Sequence, residues 1–242
     1  MSILPSGRDL VLSVVMPAYN EERTVEAAVH RLSQVPLKLE IIAVNDGSSD
    51  GTRAILDRLA AAGLLHRVIH QPQNAGKGSA VRTGIQAASG HVIVVQDADL
   101  EYDPQALPSL LEPIRVGNAD AVFGSRFQGG PRRVLYFWHS LGNKFLTLLS
   151  NMFTNLNLTD METCYKMVRA DLLKTLPLVS TRFGIEVELT ARLAQADARI
   201  WELPISYAGR TYQEGKKIGW RDGVAAFWHI LRFNLSRPAP RK

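Results

Sequence analysis

The chain has 242 residues, of which 46% are hydrophobic and 21% charged, and its formal net charge is +5 at pH 7. This composition fits one globular domain of generous size, or one domain with an appended segment. The single cysteine, Cys164, excludes an internal disulfide and a cysteine-based metal cage, and it indicates a reducing compartment with Cys164 as a small buried residue.

No segment of the sequence is expected to cross a membrane or to act as a signal peptide. A spanning helix needs about 20 mostly apolar residues. The apolar stretch 134–153 is interrupted by His139, Asn143 and Lys144, and the run 224–235 is too short. The first ten residues are broken by proline and glycine before any apolar core develops.

Short apolar runs that are typical of buried strands alternate with helix-like segments. The stretches that contain the predicted strands are 10–20, 39–52, 66–72, 91–100, 119–127 and 199–209. The last contains Pro204 and is expected at an edge of the sheet. Apolar strands that alternate with helices indicate an α/β fold, in which a mostly parallel, twisted sheet carries helices on both faces.

The helical segments are marked by their capping residues and their periodicity. The predicted helices are 21–34, one that follows Ser49 and Asp50, 78–90, one that begins at Pro104, 134–156 and 183–196. Ser49 or Asp50 would cap the second helix, and Asp103 would cap the fourth, with Pro104 at its first position.

Polar residues follow several of the predicted strands. The residues at these strand ends are Tyr19, Asn20, Glu21, Asp46, Asp97, Asp99, Ser125 and Arg126. In parallel sheets, ligands bind beyond the carboxyl ends of the strands. These side chains are therefore expected to meet at one rim of the sheet and to form a site there.

Three carboxylates, Asp97, Asp99 and Glu101, directly follow the most apolar strand. Like charges this close repel one another, so a cation is expected among them. Carboxylate oxygens are the hard ligands that Mg²⁺ or Mn²⁺ prefers, commonly shared with the phosphates of a substrate. The cluster predicts a metal–diphosphate site, although an isolated acidic pair is often only a solvated loop.

Two glycine-containing loops resemble known motifs only in part. Residues 74–80 lack the glycine spacing of a P-loop or of a dinucleotide fingerprint, yet their N–H groups and Lys77 could bind an anion. The plain alternative is a strand-to-helix turn. The loop that begins at Asp46 has EF-hand offsets but Asp57 at the twelfth position, so Asp46 would either shape a turn or accept hydrogen bonds from a nucleotide base.

Basic residues are concentrated near the predicted rim and in the C-terminal part. Those that could neutralise phosphates are Arg126, Arg132, Arg133, Arg210, Lys216 and Lys217. From Arg199 to Lys242 there are nine Lys and Arg residues against three Asp and Glu residues, interleaved with aromatic residues. This segment suits an anionic partner, either lipid headgroups or nucleic acid, or it is simply a solvated basic terminus.

Seven motifs together resemble family 2 inverting glycosyltransferases of the GT-A fold. They are VVMPAYNEE, NDGSSDGT, NAGKGSAVRTG, QDADLEYDP, GSRF, DMETCYKMVRADLL and ELPISYAGRTYQEGKK. Within that family they are most similar to the dolichyl-phosphate mannose synthase group and its bacterial polyprenyl-phosphate relatives. The resemblance covers about residues 10–220 and implies a catalytic domain over 1–220, with a Rossmann-like nucleotide-binding half and an acceptor half. Residues 221–242 would form a basic amphipathic segment.

The resemblance also implies roles for residues on the donor side. Pro17, Tyr19 and Glu21 would line the nucleotide pocket, with Asp46 near the base. Asp97 would face the donor sugar or the ribose, and Lys77 would contribute to donor binding.

For the metal and the phosphates, the resemblance implies that Asp99 and Glu101 hold Mg²⁺ or Mn²⁺, with Asp97 beside them. Glutamine is commoner in the group at the position of Glu101. Arg126 and Arg210 would steady phosphates as catalytic residues together with Asp97 and Asp99, and Lys217 would assist in donor binding.

The implied reaction transfers a hexose, with inversion, from a nucleotide sugar of the GDP-mannose or UDP-glucose type to a polyprenyl phosphate. It would take place at the cytoplasmic face of a membrane. Because the acceptor phosphate is largely a dianion at pH 7, it needs no general base, and Arg132 and Arg133 would guide it. Amphipathic segments 134–156 and 224–235 would rest on the membrane, or a separate membrane subunit would supply the anchoring helices that related proteins often carry.

Two other readings are open from the residues. A hydroxyl acceptor would need a base, for which Asp160 and Glu162 are the candidates. Their structural alternatives are a helix cap for Asp160 and a spacing-of-four pair with Lys166 for Glu162. A nucleic-acid-binding module would leave the three carboxylates unexplained, so no nucleic acid partner is expected.

Overall fold

The computed structural model describes residues 10–134, 136–211, 213–214 and 220–236. Within them, seven strands form one sheet in the order β3-β2-β1-β4-β6-β5-β7. The strands are β1 (Leu12–Ala18), β2 (Leu39–Asn45), β3 (Arg67–His70), β4 (Val92–Val95), β5 (Ala121–Ser125), β6 (Lys166–Arg169) and β7 (Ile200–Pro204). All neighbours are parallel except β6, which is antiparallel to both β4 and β5.

The predicted α/β fold with a mostly parallel sheet is confirmed, and one strand was missed. In β6, all four residues are buried, including Lys166 and Arg169. A strand with charged residues at both ends lacks the apolar run by which the others were recognised. Lys166 is accommodated because its ammonium group donates hydrogen bonds to the carbonyl oxygens of Met161 and Thr163, at 2.6 and 2.8 Å.

Eight α-helices accompany the sheet in the described ranges. They are α1 (Val25–Ser33), α2 (Thr52–Ala61), α3 (Lys77–Ala87), α4 (Leu107–Arg115), α5 (Phe137–Thr154), α6 (Ala170–Leu173), α7 (Ile185–Gln195) and α8 (Trp220–Leu235). Two predicted capping residues contact helix starts. Asp103 accepts a hydrogen bond from the N–H of Gln105 at 3.0 Å in a 3₁₀ turn that begins at Pro104, and Asp50 accepts one from the N–H of Thr52 at 3.0 Å.

The core lies on the central strands. Consecutive residues point to opposite faces of a strand, and all four residues of β4 are buried, so both faces of the sheet are covered there. Helix α3 lies close to β1 at Gly84, where an added Cβ atom would be only 2.2 Å from a methyl group of Val15. Among the described strands, β7, with Pro204 at its end, pairs with β5 alone and is an edge strand, as predicted.

A second, smaller apolar cluster joins α5, α7 and α8. Its buried members are Met161, Val187, Ala226 and Ile230. Helix α8, which lies in the segment that the sequence assigned to an appended part, therefore packs on α5 and α7. The boundary at residue 220 stays a prediction. None of the helices in the described ranges is long and apolar enough to span a bilayer.

Candidate active site

The loops that follow β1 and β2 are joined directly to one another at the carboxyl ends of the strands. The N–H of Asp46 donates to the carbonyl oxygen of Ala18, and the N–H of Glu21 donates to the hydroxyl of Thr52, both at 2.9 Å. Pro17 lies in β1, and Tyr19 at the rim is 39% exposed. The predicted donor-side residues are thus brought together at one edge of the sheet.

Asp46 holds the glycine-containing loop in front of α3. It is buried, and its two carboxylate oxygens accept hydrogen bonds from the N–H groups of Ala75 and Gly76, both at 2.8 Å. Gly76 has a φ of 95°, and an added Cβ atom there would lie 2.4 Å from the carbonyl oxygen of Thr181. The geometry therefore shows Asp46 shaping a turn, the first of its two predicted roles. The N–H groups of Ala75 and Gly76 already donate to its carboxylate.

Lys77, at the first position of α3, forms a buried charge cluster. Its ammonium nitrogen is 2.9 Å from Asp97 Oδ1 and 2.8 Å from Glu186 Oε1. Burial opposes the charged form, yet the two carboxylates raise the pKa of Lys77 well above its usual value. Asp97 therefore has a cation of the chain itself as its partner, and that cation lies on the helix that begins at the rim.

Asp99 and Glu101 are paired with Arg210. Arg210 Nη2 is 2.9 Å from Asp99 Oδ2, and Arg210 Nε is 3.2 Å from Glu101 Oε1. Glu101 also accepts hydrogen bonds from the hydroxyl of Tyr207 at 2.6 Å and from the N–H of Arg210 at 2.9 Å. Glu21 approaches the same guanidinium group at 3.6 Å.

The acidic rim still has too little positive charge. Burial, followed by the charges of Asp97 and Glu101, raises the pKa of Asp99 to about 7, although Arg210 lowers it. Among the described residues, no group of three or more Asp, Glu, His or Cys side chains is arranged so that it could hold a metal ion. The donor set nevertheless fits Mg²⁺ or Mn²⁺, because it consists of carboxylate oxygens that an added cation would relieve of their mutual repulsion.

Arg126 forms a tight pair with Asp160. Its Nε and Nη2 atoms are 2.6 and 2.7 Å from the two carboxylate oxygens, and its N–H donates to the same carboxylate at 3.0 Å. Asp160 is completely buried. The helix cap considered for Asp160 is wrong, because no helix begins there: the chain passes from α5 to β6 through a loop.

Glu162 and Lys166 do not form the pair suggested by their spacing. Lys166 lies in a strand, and burial lowers its pKa to about 8. Glu162 Oε1 is buried and has no hydrogen-bond partner among the described residues. Burial, followed by the nearby charge of Glu186, raises the pKa of Glu162 to about 7.

The basic residues assigned to the acceptor lie beside the acidic rim. The N–H of Arg133 donates to the carbonyl oxygen of Tyr207 at 2.9 Å, and the Arg133 side chain pairs with Glu214 at 2.8 Å. Arg132 lies over the ring of Phe127 at 5.2 Å. Lys216 and Lys217 lie outside the described residues.

Two residues of the site were missed from the sequence. Glu186 shares Lys77 with Asp97, and Tyr207 joins Glu101 to the segment of Arg133. The sequence carried a signal for Glu186, because Glu186 and Glu188 alternate with apolar residues, and the structure buries all of residues 185–193. Buried glutamates on such a helix require partners. Tyr207 carried no comparable signal.

The sheet and the acidic rim at its carboxyl ends define the GT-A fold that the resemblance implied. Residues 13–176 match the family described as Glycosyl transferase family 2, and the chain belongs to this family.

Two relatives are similar over most of their length. Undecaprenyl-phosphate mannosyltransferase of Micrococcus luteus is 32% identical, over 91% of this chain and 97% of that protein. Polyprenol monophosphomannose synthase of Mycolicibacterium smegmatis is 29% identical, over 90% of this chain and 84% of that protein. The fold is also similar to a crystal structure of glucosyl-3-phosphoglycerate synthase from Mycobacterium tuberculosis in complex with Mn²⁺, UDP and glucosyl-3-phosphoglycerate. That structure has a TM-score of 0.72 and 23% identity, and the similarity covers 95% of this chain and 82% of that one.

Proposed function

We propose that the protein transfers a hexose from a nucleotide sugar of the GDP-mannose or UDP-glucose type to a polyprenyl phosphate, with inversion at the anomeric carbon. The observation that carries the proposal is the acidic rim of Asp97, Asp99 and Glu101, flanked by Arg126, Arg210 and the segment of Arg132 and Arg133. The similarity to two proteins named as polyprenyl-phosphate mannosyltransferases supports the same acceptor and favours mannose as the hexose.

The donor would bind at the joined ends of β1, β2 and β4. Pro17, Tyr19 and Glu21 would line the nucleotide pocket, with Asp46 near the base. Asp97 would face the donor sugar or ribose, and Lys77 would contribute positive charge. Lys217 keeps its predicted role in donor binding.

The carboxylates of Asp99 and Glu101, with Asp97, would hold Mg²⁺ or Mn²⁺. When bound, the cation supplies charge neutralisation for the departing nucleoside diphosphate. Arg210 and Arg126 would add guanidinium charge beside the phosphates. Arg126 is buried against Asp160, so it would act as a fixed positive charge of the pocket wall.

The acceptor phosphate would need positioning and no general base, because it is largely a dianion at pH 7. Arg132 and Arg133 would guide it. The geometry of Asp160 agrees with this mechanism, because both of its carboxylate oxygens accept hydrogen bonds from the Arg126 side chain.

A second candidate function is transfer to a hydroxyl acceptor, with Glu162 as the base. It is favoured by one observation, the unpartnered buried oxygen of Glu162 and its pKa of about 7, which is in the range of an effective general base. Asp160 is not retained as a base in this candidate. Nucleic acid is not part of either proposal, because the carboxylates of the rim would repel its phosphates.

The proposed acceptor is a membrane lipid, so the protein would bind peripherally at the cytoplasmic face of a membrane. Helix α5 exposes apolar side chains at intervals of three or four residues: Trp138, Leu141, Phe145, Leu148 and Met152. Helix α8 adds Val224, Phe227 and Trp228. Such a surface suits the headgroup region of a bilayer, and a separate membrane protein is the alternative occupant.

Membrane binding can be tested by charging this surface. Trp138→Glu combined with Leu148→Glu is expected to abolish cosedimentation with anionic vesicles. It is expected to leave nucleotide-sugar binding unchanged, because neither side chain is among the partners of Asp97, Asp99 or Glu101. Val116→Glu, at the end of α4, is the matched control, since Val116 is also exposed, at 50%. Vesicle binding that survives the double substitution would rule out this surface.

The function itself is tested by a transfer screen. Nucleotide sugars are supplied with Mn²⁺ or Mg²⁺, with polyprenyl phosphate, with a hydroxyl compound, or with no acceptor. Formation of a polyprenyl-phosphate hexose of inverted anomeric configuration is expected. Transfer only to hydroxyl compounds would replace the first proposal with the second, and no transfer from any nucleotide sugar would overturn both.

A further inference from the structure

Arg210 occupies the position in the rim where a cation is needed. Its guanidinium group is 2.9 Å from Asp99 Oδ2, 3.2 Å from Glu101 Oε1 and 3.6 Å from Glu21 Oε2. The Arg210 side chain is 18% exposed, and the three carboxylates are between 11% and 14% exposed. This is the most concentrated set of acidic groups around one cation among the described residues.

The backbone holds Arg210 in this position. The N–H of Ala208 donates to the carbonyl oxygen of Glu101, and the N–H of Arg210 donates to Glu101 Oε1, both at 2.9 Å. The hydroxyl of Tyr207 donates to the other oxygen of Glu101 at 2.6 Å. Glu101 thus fastens residues 207–210 to the end of β4.

A divalent cation and this guanidinium group would compete for the same two carboxylates, Asp99 and Glu101. Mg²⁺ or Mn²⁺ needs direct contact with carboxylate oxygens at roughly 2.0–2.2 Å. Asp99 Oδ2 and Glu101 Oε1 already accept hydrogen bonds from Arg210, so an ion that approaches these oxygens meets the guanidinium group there. Arginine stays protonated in proteins, so it cannot give way by losing a proton, and the side chain has to move.

We propose that Arg210 is a built-in counter-cation of the rim, which the divalent metal ion displaces. This inference rests on the proposed function, because it assigns the metal ion of that function to Asp99 and Glu101. In the metal-free chain, Arg210 offsets part of the negative charge of the carboxylates. When the ion binds, Arg210 leaves and its positive charge becomes available to phosphate groups at the same rim.

The exchange also connects the donor side to the acceptor side. Tyr207 lies between Glu101 and the basic segment, because its N–H donates to the carbonyl oxygen of Pro131 and its carbonyl oxygen accepts from the N–H of Arg133. A shift of residues 207–210 on displacement of Arg210 would therefore reach the segment of Arg132 and Arg133 through Tyr207.

The test measures the affinity of Mn²⁺ alone, in the absence of nucleotide, by electron paramagnetic resonance of free Mn²⁺. Arg210→Gln removes the competing charge and is expected to tighten Mn²⁺ binding at least about tenfold, since an adjacent arginine shifts a carboxylate equilibrium by roughly 10- to 1,000-fold. Arg210→Lys retains the charge and is expected to stay closer to the wild type than Arg210→Gln.

The control is Arg58→Gln, which also removes one positive charge. Arg58 is 61% exposed and pairs with Glu26 at 2.9 Å, and it contacts none of the rim carboxylates, so its substitution is expected to leave Mn²⁺ affinity unchanged. Circular dichroism verifies that each variant is folded. Equal tightening by Arg58→Gln and Arg210→Gln would show a general charge effect and overturn the proposal.

A second readout is hydrogen exchange at the N–H of Arg210. In the wild type, Mn²⁺ is expected to speed exchange there, because the acceptor Glu101 Oε1 is taken by the ion. Unchanged or weakened Mn²⁺ binding in Arg210→Gln, or slower exchange on adding Mn²⁺, would contradict the displacement of Arg210. Failure of the proposed function looks different: Mn²⁺ would then bind to neither the wild type nor Arg210→Gln.

Discussion

The two arginines expected to bind phosphate lie in opposite electrostatic surroundings. Arg126 has a single buried partner, Asp160, which it meets with two hydrogen bonds of 2.6 and 2.7 Å from its side chain. Arg210 is shared by Asp99, Glu101 and Glu21 at distances that extend from 2.9 to 3.6 Å. Around Arg126 the positive and negative charges are balanced, whereas around Arg210 there is more negative than positive charge.

This difference distinguishes an arginine that stabilises the fold, Arg126, from one that is suited to ligand binding, Arg210. A buried arginine with a matched carboxylate is costly to disturb, because either partner alone would be a buried unpaired charge. Arg210 lies among three carboxylates whose negative charge exceeds its own positive charge, so a second cation at the same place is attracted as well. The same residue type therefore stabilises the fold at Arg126 and can exchange partners at Arg210.

The largest expected effect is on stability, at the balanced pair. Asp160→Asn leaves Arg126 buried without a counter-charge and is expected to lower the free energy of unfolding by about 3–5 kcal/mol. Urea denaturation measures it. Asp120→Asn is the matched control, since Asp120 is also buried in a two-hydrogen-bond pair, but its partner Arg199 is 53% exposed and can be hydrated. An equal loss in both variants would remove the distinction that we draw for Arg126.

The next effect is on turnover, at the unbalanced rim. Asp99→Asn is expected to lower the transfer rate by about 10²- to 10³-fold, the usual cost of losing one electrostatic stabiliser of the transition state. Folding should be preserved or improved, because a buried carboxylate under repulsion is neutralised. A loss of stability comparable to that of Asp160→Asn would show that Asp99 also stabilises the fold. Chelation of divalent ions should reproduce the rate loss in the wild type.

The pH dependence of stability sharpens the comparison at a third buried carboxylate, Glu162. Its pKa is raised to about 7 from an ordinary value of 4.5. Between these values the folded state binds more protons than the unfolded state, so this group's contribution to stability falls as the pH rises through the window. Glu162→Gln removes that dependence. Its stability relative to the wild type should therefore increase from pH 5 to pH 7.5 in urea titrations, whereas a constant difference would show that Glu162 is not held in its protonated form.

The smallest effect concerns the same residue in catalysis. With polyprenyl phosphate as acceptor, Glu162→Gln is expected to change turnover by less than about threefold, whereas loss of a general base costs about 10²- to 10⁴-fold. Steady-state rates with saturating donor decide between the two values. The larger loss, with donor binding intact, would favour the hydroxyl-acceptor mechanism.

Much of this architecture could be predicted because it depends on local patterns. The apolar runs of β1, β2, β4 and β5 identified buried strands, and the polar residues that follow them located the rim. Strand β6 was not predicted because its charged end residues, Lys166 and Arg169, are not typical of a buried strand. Its antiparallel direction depends on tertiary pairing with β4 and β5, which no local pattern reports.

The partners within the site could not be predicted for a related reason. Arg126 and Asp160 are 34 positions apart, and Tyr207 and Glu101 are 106 positions apart, so only the folded chain brings them together. The sequence predicted that the carboxylates of Asp97, Asp99 and Glu101 need positive charge nearby. It did not show that Lys77 and Arg210 already supply part of it.

The central claim is that the carboxylates of Asp97, Asp99 and Glu101 become a donor pocket only with a divalent ion. Isothermal titration calorimetry of the intact protein with a panel of nucleotide sugars, with Mn²⁺ and with chelator, tests it most directly. We predict measurable binding of at least one donor that requires Mn²⁺ or Mg²⁺. Binding of equal strength in chelator, or no binding of any donor with either ion, would contradict the account.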